Sequence, residues 1–265
     1  MDRSSADTPE SAFGDFTFVS QSYKYRPYYS KRLLSAIAAY ISRKRNGIVV
    51  ADVGAGTGKL VEMFAELGFS GYAIEPNEGM FTEGIRQCSS LTGFEWIKSS
   101  AEETGLPNNS VDWISMGSMF HWTNKEASLA ECRRILRPGG HLSILYDLTD
   151  IDRDPLQQQV EDLIRGMEPN LKRARTPIVE LMPHIESILE SSGHFMDCIY
   201  VEASHAELCD KTRYLAIWDT AHDIKGQISR SRWQELRSAI SDLISPHDQI
   251  RSLYRTSAWT AEVVQ

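Results

Sequence analysis

Apolar residues along the chain fall into two rhythms that take turns. Between Tyr28 and Arg43, Leu33, Leu34, Ile37, Ala38 and Ile41 recur at three- and four-residue intervals, which predicts a helix packed by one face on a sheet. A β-rich run, Ile48 to Val53, follows and ends in glycines before a second helical stripe of Leu60, Val61, Phe64 and Leu67. The alternation repeats, with strands predicted at Tyr72–Ile74, Phe94–Ile97, Val111–Ile114 and His141–Tyr146. Between the last two, Leu129, Cys132, Ile135 and Leu136 mark a helix that Arg137-Pro138-Gly139-Gly140 ends in a turn.

Strands alternating with helices predict a doubly wound, mainly parallel α/β sheet. Beyond Asp147 the pattern changes: residues 155–192 and 211–245 read as helices around a short strand at Cys198–Val201, and a last strand is expected at Ile250–Val263, making seven. The expected organisation is a mobile N-terminus over 1–20, a core over 21–150, a helical cap carrying one core strand over 151–248, and a final strand over 249–265. Residues 1–20, rich in Ser, Asp, Thr and Pro, show no helical period.

Composition narrows the partners. Hydrophobic residues make 42% and charged residues 24% of the 265, which is ordinary globular usage. The net charge of −8 argues against a nucleic-acid partner, and Arg43-Lys44-Arg45 is too short to reverse that. Cys88, Cys132, Cys198 and Cys209 form no C-x-x-C pair and read as small apolar residues in a reducing compartment. No run has the length of a membrane span and the N-terminus lacks the apolar centre of a signal peptide, so a cytoplasmic protein without a membrane partner is expected. No metal is expected, because no His/Asp/Glu group has ligand spacing. Homo-oligomer formation has no signature in the chain.

Chemistry enters at Asp52-Val53-Gly54-Ala55-Gly56-Thr57-Gly58-Lys59, where glycine occupies every second position. The dinucleotide pattern G-x-G-x-x-G fails because its third glycine would fall at Lys59. The phosphate-binding G-x-x-x-x-G-K-[ST] fails at Val53 and Leu60. Such a loop suits a ligand lying flat against backbone, with acidic groups nearby to receive hydroxyls or a cation. Glu75, ending the second strand, offers two acceptor oxygens to a ribose diol; the alternative is a helix-start acid beside Pro76 and Asn77.

Four segments in order, VADVGAGTGKL (50–60), AIEPNEGM (73–80), SSAEETGLPNNSVDWISMGSMFHW (99–122) and ECRRILRPGGHLSIL (131–145), resemble the motifs of class I S-adenosylmethionine-dependent methyltransferases. The flanking SYKYRPYY (22–29) and LYRTSAWTAEV (253–263) resemble the small-molecule subgroup that includes trans-aconitate methyltransferase. The resemblance implies a Rossmann-like fold with S-adenosyl-L-methionine as cofactor, bound by the 21–150 core. It also implies methyl transfer to an O, N or C nucleophile of a small molecule, in secondary metabolism; the alternative is a cofactor-binding fold repurposed for a non-methylating or regulatory role.

Residue by residue, it implies Gly54, Gly56 and Gly58 against the methionine part, and Asp52 ordering the loop or the amino group. Glu75 would lie at the ribose, with Pro76, Asn77 and Met80 around the adenine. Ser100 stands where many relatives carry Asp, which leaves adenine recognition to Ala101 and Glu102. Met116 joins the cofactor set at the end of the fourth strand.

That strand end opens toward the reactive end of the cofactor in this fold, which makes His121 and Trp122 the first substrate-side candidates. His121 can take a proton near neutrality, or serve as a hydrogen-bonded structural histidine beside a packed Trp. In Tyr23-Lys24-Tyr25-Arg26-Pro27-Tyr28-Tyr29, aromatic rings and a guanidinium suit closure over a sulfonium and a carboxylate, or else pin the N-terminus to the sheet. Tyr23 and Arg26 are assigned to the cofactor carboxylate and Tyr25 to the substrate. Tyr214, Trp218, Asp219 and His222 are spaced for one helical face lining a substrate cavity, with a core stripe as the alternative for the two aromatics. Asp147 is read as a pocket-edge residue or a helix cap.

Overall fold

A computed structural model describes residues 20–44, 47–173 and 175–264. The expectation of a mobile segment over residues 1–20 falls outside the described residues except at Ser20, which is buried at the start of a short helix, and the reading of Arg45 also lies outside them. Seven strands form one sheet: β1 (Val49–Val53), β2 (Ser70–Ile74), β3 (Phe94–Ile97), β4 (Val111–Gly117), β5 (Leu136–Thr149), β6 (Phe195–Cys209) and β7 (Ile250–Val263). Their order is β3-β2-β1-β4-β5-β7-β6. All neighbours are parallel except β7, which runs antiparallel to both β5 and β6. The doubly wound, Rossmann-like reading holds.

The helices are α1 (Ser20–Tyr23), α2 (Lys31–Ile41), α3 (Lys59–Glu66), α4 (Glu78–Gln87), α5 (Lys125–Ile135), α6 (Pro155–Met167), α7 (Arg175–Leu181), α8 (Ile185–Ser191), α9 (Lys211–Trp218), α10 (His222–Lys225) and α11 (Arg230–Ile244). Helix α2 starts where the Ser30 hydroxyl accepts from the Leu33 N–H, satisfying an orphan donor of the first turn. Its predicted apolar stripe is buried with α3 against one sheet face, around Val50, Phe64 and Trp113. The Trp113 ring stands edge-on to Phe64 and Phe69 and donates its indole N–H to Ser143 Oγ at 2.9 Å, so its polar tip is satisfied inside the core. Helices α5 and α8 cover the other face.

Two readings change. The segment Arg137–Gly140 is not a free turn before β5. Leu136 already pairs with Val111 and His141 pairs with Trp113, so the four residues between form a bulge inside the strand. Strand β6 begins at Phe195 and runs fifteen residues, not four. It is an edge strand, and beyond Val201 its half-exposed positions carry Ala203, His205 and Glu207, whose mixed polarity hides the period of two.

The long ends of β5, β6 and β7 project beyond the parallel part of the sheet and carry the cap. Helices α6, α9, α10 and α11 close on their own apolar core, including Val160, Trp218, Trp233, Leu236 and Ile240. Helix α6 is fixed by Asp154, whose carboxylate accepts from Gln157 N at its N-terminus and from Leu253 N on β7. Residues 175–191, read from sequence as part of the cap, instead pack on the sheet through Ile178, Leu181, Ile185 and Leu189.

Candidate active site

A cavity of about 420 Å³ lies between the C-terminal ends of the parallel strands and the cap. That is where side chains and loops of an open α/β sheet converge on a ligand. Its floor is the glycine turn after β1. Gly54 N and Ala55 N both donate to Ile74 O, at 2.8 and 2.9 Å, which ties the turn to β2.

The three turn glycines have three different reasons. All take left-handed backbone angles, with φ of 73°, 57° and 90°. A Cβ on Gly54 would meet the Met119 side chain at 2.6 Å, and one on Gly58 would meet Cys88 Sγ at 2.4 Å. A Cβ on Gly56 would meet no protein atom within 4 Å, and Gly56 lines the cavity. Of the three, only Gly56 has open space where a Cβ would stand. Gly58 packs against Cys88 and does not line the cavity.

Glu75, 7% exposed, follows β2. Its Oε2 accepts from Gly56 N and its Oε1 from Asn77 N, each at 2.8 Å. Burial raises its pKa and those two N–H donors pull it back. Each carboxylate oxygen keeps a second lone pair for a hydroxyl at the cavity wall. Asn77 N-caps α4 through Met80 N, which sets Pro76, Asn77 and Met80 along the same wall. Asp52, at the end of β1, is pushed up to about 7 by burial, against a 2.6 Å hydrogen bond from Ser115 Oγ.

The N-terminal segment closes one side. Arg26 Nε donates to Thr220 Oγ1 at 2.6 Å while the guanidinium sits 5.5 Å from the Tyr23 ring centroid, so both residues bridge core and cap. Tyr29 reaches the cavity through Gly117: a Cβ there would lie 2.6 Å from its hydroxyl, which donates to Ser118 Oγ at 3.1 Å. Ser118 has φ of 55°, a left-handed angle uncommon for a residue with a side chain. Lys59 Nζ lies 3.9 Å from the Tyr28 ring centroid, and burial lowers its pKa to about 8.

His121 and Trp122 line the opening side, with Trp122 43% exposed. The His121 ring is steadied by the Tyr146 hydroxyl, 3.2 Å from Nδ1. From the cap, Tyr214 and Trp218 reach the cavity, and Tyr214 donates to Gln157 Oε1 at 3.0 Å.

Other assignments move away. Asp219 caps α9 and makes a two-pronged pair with Arg237, so it shares no cavity wall with Trp218. The His222 side chain lies outside the described part of the structure. Tyr25 does not line the cavity, and its carbonyl accepts from Arg213 Nε at 3.3 Å. Ala101 and Met116 are buried in the core, and the Glu102 carboxylate accepts from Asn124 N; none of the three lines the cavity. Alanine and methionine at those positions fill the sheet's apolar face, which outweighs their place in a motif.

Sequence reasoning also missed residues. Arg173 joins Glu161 at 2.5 Å and Asp223 at 3.0 Å, a charged cluster on the cap side of the cavity. His205 and Thr256 converge on Asp147, and Tyr254 lines the wall beside them. The lining carries five carboxylates (Asp52, Glu75, Asp147, Glu161, Asp223) against three cations (Arg26, Lys59, Arg173), an excess that favours a positively charged ligand.

Residues 51–144, from β1 to β5, match the family described as a methyltransferase domain. A protein of Dictyostelium discoideum named as a methyltransferase is 32% identical over 157 residues, covering 58% of this chain and 57% of that protein. The ubiquinone/menaquinone biosynthesis C-methyltransferase of Hahella chejuensis is 34% identical over 108 residues, covering 38% and 43%. The chain thus spans about half the length of the relatives it matches. A solved structure named as a type II methyltransferase, from Anaeromyxobacter dehalogenans, superposes with a TM-score of 0.59 at 20% identity, covering 89% of this chain and 97% of that one, so the fold extends through the cap. Among the described residues no helix is long and apolar enough to cross a membrane, and no three His, Cys, Asp or Glu are grouped to hold a metal.

Proposed function

We propose that this chain transfers a methyl group from S-adenosylmethionine to a small molecule held between core and cap. The observation that carries the reading is the pairing of Gly56 with Glu75 at the cavity floor. The glycine leaves clear the space a side chain would fill, and the carboxylate it binds keeps acceptor capacity for a ribose diol. Asp52 supplies a carboxylate for the cofactor's ammonium group, and the carboxylate excess suits a sulfonium. The bound cofactor supplies a methyl carbon open to in-line displacement, so the chain's own task is to align the acceptor and keep water out.

The cavity's place between core and cap supports a small acceptor over a macromolecular one. Its size falls in the range that buries a small ligand. A small-molecule methyltransferase is supported by SYKYRPYY and LYRTSAWTAEV, which supply Tyr23, Arg26 and Tyr254 to the cavity wall. His121 is the candidate base for an acceptor that must lose a proton. The test is transfer of isotope-labelled methyl groups from S-adenosylmethionine into a cell extract, followed by fractionation by size. Label in the low-mass fraction is expected; label confined to protein or nucleic acid would overturn the small-molecule acceptor.

A further inference from the structure

Part of the cavity wall comes from β5, through Asp147, and from β7, through Tyr254, with β6 paired beyond β7. Asp147 on β5 stands directly across from Thr256 on β7, which in turn faces Ala203 on β6. Side chains on one face of a strand recur every second residue, so His205 points the same way as Ala203. Thr256 Oγ1 donates to Asp147 Oδ1 at 2.5 Å, and His205 Nε2 lies 2.9 Å from the same oxygen. A carboxylate only accepts, so the proton of that bond sits on Nε2.

This arrangement is locked from behind. Thr256 Oγ1 accepts from Ser30 N at 2.8 Å, which leaves its own proton for Asp147. The His205 ring stacks on Tyr254, with centroids 5.6 Å apart and planes at 26°. Burial opposes charge on both partners: it raises the pKa of Asp147 against the pull of His205 and Thr256, while at His205 the hydrogen bond and charge of Asp147 outweigh it and raise the imidazole.

All of these contacts fall on Oδ1. Oδ2 is buried and accepts no hydrogen bond, on a residue that lines the cavity. Buried acceptors without partners are rare in folded proteins and mark places where a ligand or water belongs. Tyr29 links this corner to the cofactor turn. Its phenol pKa is raised by burial first, and the carboxylates of Asp147 and Asp52 both add to the shift.

We propose that Asp147 Oδ2 recognises the methyl acceptor, which carries a protic group, an N–H or O–H, that donates to it. Thr256 and His205 are positioning residues that commit Oδ1 and leave Oδ2 unpartnered on a residue of the cavity wall. The excess of carboxylates around the cavity disfavours an acceptor that meets Asp147 with a carboxylate of its own. This proposal rests on the methyl-transfer reading of the cavity.

The test uses three probes of one shape, benzylamine, benzyl alcohol and benzoate, suited to the rings of Tyr254, Tyr214 and Trp218 on the lining. Binding is measured by ligand-observed NMR on the full chain, alone and saturated with S-adenosylhomocysteine. The amine and the alcohol are expected to bind the wild type at least about tenfold more tightly than benzoate, a preference that needs no variant. Binding of the amine alone would point to an ammonium-bearing acceptor, and of both to any protic one.

Asp147→Asn is expected to weaken both protic probes by about tenfold or more with S-adenosylhomocysteine affinity unchanged. Benzoate binding as tightly as the protic probes, or an Asn variant that keeps them, would overturn the proposal. Protic probes that depend on Asp147 in a chain that does not bind S-adenosylhomocysteine would sink the methyl-transfer reading while leaving this recognition site standing.

Discussion

Replacing Gly56 by alanine separates ligand space from protein packing. A methyl group at this position touches no protein atom within 4 Å, so the folded state loses nothing by crowding. It does pay for a left-handed backbone angle of 57°, which costs a residue with a Cβ about 1–2 kcal/mol. For a domain of this size that lowers the melting temperature by about 2–8 °C. The added methyl occupies volume assigned to the cofactor, and overpacking a fitted contact costs about 1–3 kcal/mol, or about 5- to 150-fold in affinity. The assay is paired: thermal denaturation of the free protein and titration with S-adenosylhomocysteine. Gly58→Ala is the contrast, because its methyl lies 2.4 Å from Cys88 Sγ at φ of 90°. Strain and overpacking together cost it about 2–5 kcal/mol of stability. A Gly56→Ala protein that titrates like the wild type would refute the assignment of that space to the cofactor.

Glu75→Gln leaves one of the two N–H groups, Gly56 or Asn77, facing an amide NH₂ and removes a charged acceptor from the diol site. Charge-assisted hydrogen bonds contribute about 1.5–3 kcal/mol, so cofactor affinity should fall by about 10- to 150-fold in calorimetry, and a loss under about twofold would exclude the ribose role. Asp52 holds its proton to about pH 7, so affinity for the cofactor's cationic group should climb as pH rises through that value and level off above it. Asp52→Asn should flatten that profile. The same raised value makes the folded state bind the extra proton, so the free protein should lose stability as pH rises from the ordinary carboxylate range to about 7, read from denaturant midpoints. His121→Gln should lower turnover by about 10²- to 10⁴-fold with S-adenosylhomocysteine affinity intact, and unchanged turnover would reduce His121 to its contact with Tyr146.

Much of the core was legible because its signals are local. The strand ends, the glycine turn and Glu75 lie within thirty residues of one another, and helical stripes such as Leu33 to Ile41 report a buried face directly. The same motif logic also named Gly58, Ala101, Glu102 and Met116, which do not line the cavity, since a motif fixes position along the chain but not which neighbour claims the side chain. Cys88 claims Gly58, the sheet core claims Ala101 and Met116, and Asn124 claims Glu102. The Asp147 corner was half visible. Asp147 ends a predicted strand, but His205 lies on an edge strand whose polar alternation gave no period to read, and Thr256 gains its role only from the antiparallel register of β7. In the cap, helical spacing put Asp219 beside Trp218, yet α9 ends at Trp218 and Arg237 of α11 takes the carboxylate.

Titration calorimetry of the wild-type chain with S-adenosylmethionine tests the central claim most directly. The cavity geometry predicts saturable binding at one site per chain, weakened in both Gly56→Ala and Glu75→Gln. Absence of binding by the wild type, or binding indifferent to both substitutions, would contradict it.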